Sequence, residues 1–128
     1  MIDLQRFIVQ QLKLVHPRIH LEFVPESQNV EYPYVVYNFY DSDEMVDRRE
    51  DVLLEVDVWD KPVNGSALTL ETLSDAIHQK LNRLFYTDNT SGWSCRFFLA
   101  NRLMIPDPDP TIRRRQLRYE IRTYRRDT

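Results

Sequence analysis

The chain has 128 residues, 42% of them hydrophobic and 29% charged, with a net charge of −3. That is the size of one domain with an ordinary soluble composition, and it leaves no room for a second full core. A single cysteine, Cys95, excludes an intrachain disulfide and a thiolate-rich metal site. No stretch has the length of a membrane helix, and Met1-Ile2-Asp3-Leu4-Gln5-Arg6 lacks the basic flank and apolar block of a signal peptide, so a soluble cytoplasmic protein is expected.

Leu4, Phe7, Ile8, Leu12 and Val15 recur at three- and four-residue spacing, which predicts an amphipathic helix with Asp3 as its cap and Pro17 as its stop. Residues 18–33 read as a short extended piece (Ile19, Leu21, Phe23) followed by a loop. Tyr34 to Tyr40, rich in β-branched and aromatic side chains, reads as a strand. Residues 41–51 form an acidic connection. Its resemblance to a calcium loop fails, because counting from Asp41 the sixth position is Val46 where glycine is needed and the twelfth is Val52 where a glutamate should chelate. It reads either as a solvated hairpin connection or as an acidic surface facing DNA or a basic partner.

Val52 to Trp59 is a second strand, with Val52, Leu54, Val56 and Val58 on one face and Glu55, Asp57 and Trp59 on the other. After turn chemistry at residues 61–65, Ser66 or Thr69 can cap a second helix whose stripe is Leu70, Leu73, Ile77, Leu81 and Leu84. Thr87 to Gly92 reads as polar loop. Arg96 to Met104 reads as a third strand in which Phe97-Phe98-Leu99 blurs the alternation. Pro106 to Pro110 is a stiff link, and Thr111 to Tyr124 is a long alternating last strand. The expected fold is a single α+β domain over 1–128: an antiparallel sheet with two amphipathic helices packed on one face, in the order α-β-β-α-β-β.

Enzyme chemistry finds little footing in these residues. Gly65 and Gly92 are the only glycines, so no glycine-rich phosphate cradle can be built. His16 and His20 straddle Pro17 and do not sit one helical turn apart, and His78 falls at the edge of an apolar stripe. No catalytic residue, metal or cofactor is expected. Residues 113–128 hold seven arginines against Glu120 and Asp127, a balance of +5 facing −8 in residues 1–112. On a strand Arg114, Arg118 and Arg122 share one face and Arg113, Arg115 and Arg125 the other, so the charge is split. Pairing of this strand with Glu55 and Asp57, within or between subunits, is favoured over an alternative in which it binds nucleic acid.

An N-terminal helix, Tyr32-Pro33-Tyr34-Val35-Val36-Tyr37, then Leu54-Glu55-Val56-Asp57-Val58-Trp59-Asp60, then a helix with Leu73-Ser74-Asp75-Ala76-Ile77, resembles the tail terminator and head–tail joining proteins of tailed phages and prophages. The likeness runs over most of the chain through loose motifs. It implies a non-enzymatic virion component, a hexameric ring at the neck that terminates the tail tube and meets the head connector, with DNA passing through its lumen. Its place would be the virion tail or neck, after assembly in the host cytoplasm. Asp41, Asp43, Glu44 and Asp47 are the candidate lumen lining, since an acidic wall repels phosphates. Glu55, Asp57, Trp59, Arg114, Arg118 and Arg122 are the candidate subunit interface. The Pro106–Pro110 link and the basic last strand depart from the family pattern.

Overall fold

The structure is a computed structural model that describes residues 2–21, 31–40, 44–46 and 49–125. Helix α1 (Ile2–Val15) buries Leu4, Phe7, Ile8 and Leu12 and ends where Pro17 removes the next backbone donor. Asp3 lies inside its first turn, where a carboxylate suits the positive end of the helix dipole. The chain continues through β1 (Ile19–Leu21), β2 (Tyr34–Tyr40), β3 (Glu44–Val46) and β4 (Arg49–Asp60), then α2 (Leu68–Leu81), then β5 (Phe85–Asp88), β6 (Trp93–Met104) and β7 (Arg113–Arg125).

The strands form one sheet in the order β1-β2-β4-β7-β6-β5, with β3 pairing to β4 beside that path. This corrects the expected order and the expected wholly antiparallel sheet. Even without the three-residue β3, three strands precede α2 and three follow it, and β1 runs parallel to β2. The missed strands have a common cause. Three or four residues cannot express a period of two clearly enough to stand out from loop. For β1 the parallel pairing is seeded by the Val35 N–H donating to the Arg18 carbonyl at 3.0 Å, while the His16 ring and the Arg18 Nε both meet the Pro33 carbonyl.

Strand β5 exists because α2 stops sooner than its apolar stripe suggests. The helix ends at Leu81, Arg83 adopts a left-handed φ of 56°, and Leu84 becomes a connector whose carbonyl accepts from Phe97 N–H at 2.9 Å. The turn into β6 uses the Asp88 carboxylate as acceptor for Thr90 and Ser91 N–H, then Gly92 at φ 73°, a conformation that favours glycine. At the front of α2 the cap position is Ala67. Ser66 instead accepts the Leu68 N–H on its hydroxyl, and Thr69 is already helical.

One face of the sheet meets both helices. Val52, Leu54, Val56 and Val58 of β4, Leu117, Tyr119 and Ile121 of β7, and Cys95 and Phe97 of β6 pack there against the buried stripes of α1 and α2. Phe7 stacks on Tyr86 at 4.2 Å and meets the edge of Trp93, while His78 on α2 hydrogen-bonds the buried Tyr119 hydroxyl at 2.9 Å. Cys95 is fully buried, and burial pushes its thiol up to about 12, so it is unreactive at neutral pH.

Candidate assembly surface

Among the described residues no helix lies over the opposite face of the sheet, and the β4–β7 register decides which charges meet on it. Pairing of Val56 with Leu117 sets Glu55 opposite Arg118, Asp57 opposite Gln116 and Trp59 opposite Arg114. Because side chains alternate with a period of two, all six point away from the helices. Arg114 reaches diagonally to Asp57, with Nη2 and Nε at 2.9 and 3.1 Å from Oδ1, and its guanidinium lies 4.6 Å above the Trp59 ring. Gln116 donates to Asp57 at 3.1 Å and to Glu55 at 3.4 Å, and the Tyr40 hydroxyl donates to Glu55 at 3.1 Å. Arg118 stands 3.4 Å from Glu55. Arg122 pairs with Glu120 at 3.1 Å and covers Phe98 at 4.6 Å.

Trp59 extends this surface toward β2 by stacking on Tyr34, with ring planes 10° apart, and Tyr34 in turn meets Tyr32. The packing is tight enough that Asp57 is only 3% exposed. Burial raises its carboxyl above the ordinary range, against the lowering pull of Arg114 and Gln116. Tyr34 is pushed up to about 12, chiefly by burial and then by the nearby charges of Tyr32 and Asp107.

All six residues expected to form a subunit interface therefore lie on one face, and each charged member meets an opposite charge of its own protomer. Gln116, which bridges Glu55 and Asp57, and Tyr40, which bonds Glu55, were not singled out from the sequence. The role of Gln116 depends on a register between residues some sixty positions apart, for which the alternation of β7 was the only available signal, and that of Tyr40 on the pairing of β2 with β4. The remaining arginines serve elsewhere: Arg115 pairs with Glu71 of α2, and Arg113 donates to the Gly65 carbonyl at 2.8 Å. Of the expected lumen residues, Asp41, Asp43 and Asp47 lie outside the described residues, as does the side chain of Glu44, whose backbone belongs to β3. Among the described residues no group of three or more His, Cys, Asp or Glu is placed to hold a metal ion, and no helix is long and apolar enough to cross a membrane.

No family model and no curated protein matches the chain. Among solved structures, it is similar over 91% of its length to 91% of a chain from the virion of a native gene transfer agent particle, with a TM-score of 0.62 and 13% identity, a likeness of fold.

Proposed function

We propose that this chain is a structural subunit of a phage-like virion that works by packing against copies of itself and against adjoining virion proteins. The observation that carries the reading is the shared fold over 91% of both chains with a subunit of a gene transfer agent virion. The finer assignment is a hexameric neck ring that terminates the tail tube, joins it to the head connector and lets DNA pass. That assignment rests on the sequence resemblance to tail terminators. The paired state of the open sheet face supports an assembling role over nucleic-acid binding, because Arg114, Arg118 and Arg122 already face Asp57, Glu55 and Glu120. Arginines so engaged have little free charge to exchange for the counterions of DNA.

Tube capping is the activity to test. Purified chain added to polymerising tail tube protein is expected to shorten the tubes and to leave extra density at one end in electron micrographs. Unchanged tube lengths with bare ends would refute the terminator assignment. In assembled particles, replacing Asp41, Asp43 and Glu44 by lysine is expected to slow or block DNA ejection while the ring stays intact. Disassembly of the ring would instead make that segment an interface element.

A further inference from the structure

Helix α2 has two flanks that no described residue covers fully, one on either side of its buried stripe of Leu70, Leu73, Ser74, Ile77 and Leu81. On the flank toward α1 lies an open groove of about 500 Å³, lined by Val15, Pro33, Leu68, Thr72, Leu73 and Ala76 among others. Leu68 of its lining is 73% exposed, and Leu14, the neighbour of Val15 on the last turn of α1, is 70% exposed. On the other flank, the helix-side surface of β6 presents Leu99 and Met104, the latter 68% exposed, around Arg102, which holds Asp75 of α2 at 2.7 Å. Strand β5 ends its pairing at Arg96, so no described strand runs along this stretch of β6.

The two flanks also differ in charge. Lys13, exposed beside Leu14, has no ion pair among the described residues, whereas 59% of the Asp75 side chain remains in water. We infer that copies of this chain join head to tail, the Leu99–Met104 flank of one copy seating against the α1–α2 groove of the next, with Asp75 facing Lys13. This rests on the reading of the chain as a self-assembling subunit and names the surfaces that it uses. A two-fold pairing can seat each copy's β6 flank in the other's groove, but it stops at two copies. A head-to-tail contact covers both apolar surfaces in every copy, and when its rotation closes it produces a ring. A bulge between Leu99 and Asn101 bends β6 at this place, which favours docking through side chains over extension of the sheet.

The test is sedimentation velocity on the full chain and on two variants altered at exposed positions, Thr72→Arg in the groove and Met104→Arg on the β6 flank. Wild type is expected to sediment as an oligomer and each variant as a monomer. A mixture of the two variants is expected to give a dimer, because one intact groove and one intact flank remain between them. Lys13→Glu and Asp75→Lys are expected to weaken the oligomer singly and to restore it when combined in one chain, which guards against a variant that merely misfolds. An oligomer that survives every variant, or variants that are monomeric but never complement, would overturn the head-to-tail contact while leaving self-assembly standing. Assembly only after tail tube protein is added would assign the groove to the tube and overturn it also. A wild-type monomer under all conditions would count against self-assembly itself.

Discussion

Phe97→Ala is expected to destabilise the protein by about 3–5 kcal/mol, a large share of the roughly 5–15 kcal/mol that holds a domain of this kind folded. Phe97 is fully buried at the centre of β6, its ring 6.5 Å from both Phe7 of α1 and Tyr119 of β7. Removing it takes away packing shared by a helix and two strands, and the neighbours cannot close the gap without moving the sheet. Urea unfolding followed by circular dichroism measures the effect through a lower midpoint at unchanged slope. A loss under about 1 kcal/mol would mean that the core does not converge on this residue.

Arg114→Ala is expected to cost about 2–3 kcal/mol at neutral pH. Deleting one partner of a buried pair leaves the other charge stranded, at a typical cost of about 3–5 kcal/mol. The figure is reduced because 24% of the Arg114 side chain is in water, while only 5% of the Asp57 side chain is. The pH dependence follows from the raised Asp57 carboxyl. A carboxyl whose folded pKa lies above its unfolded value favours folding most below the unfolded value, and that contribution is lost as pH rises through the folded one. Without Arg114 the folded value rises further. The variant's deficit is therefore expected to be largest at neutral pH and to shrink in acid as Asp57 takes up a proton. Unfolding curves at neutral and acidic pH decide the point. An equal deficit at both would mean that Arg114 acts by packing on Trp59 and not by neutralising Asp57.

The two helices and the long strands were legible because burial imposes a period that many residues repeat. Leu4, Phe7, Ile8 and Leu12, and Leu70, Leu73, Ile77 and Leu81, are the buried apolar residues described on the helices, and Val52, Leu54, Val56 and Val58 alternate inward as their spacing suggests. The alternation blurs at Phe97-Phe98-Leu99 because Phe98, on the open face, is apolar as well and lies under Arg122, and it breaks just beyond. An extra residue bulges between Leu99 and Asn101, so Leu99 and Arg102 both lie on the helix side although three positions separate them. What could not be read was non-local. The parallel seat of β1 and the meeting of Asp57 with Arg114 and Gln116 depend on register between separate segments, which no single segment encodes, whereas β5 was too short to show its period.

The same limit separates the open sheet face from the proposed docking groove. The Glu55–Asp57–Trp59 alternation could be seen in β4 alone, whereas the α1–α2 groove needs helices folded against each other before Leu68, Thr72 and Ala76 stand beside Val15. A charged, internally paired sheet face and an apolar helical flank suit different tasks. The first holds the protomer's own strands in register, and the second offers area whose removal from water favours association at roughly 25 cal/mol per Å².

Native mass spectrometry of the purified chain bears most directly on the claim that this protein functions by assembling with itself. Closed complexes of a single defined copy number, six for the proposed neck ring, are the expected result. A species of one copy at every concentration, with tail tube protein present or absent, would contradict it.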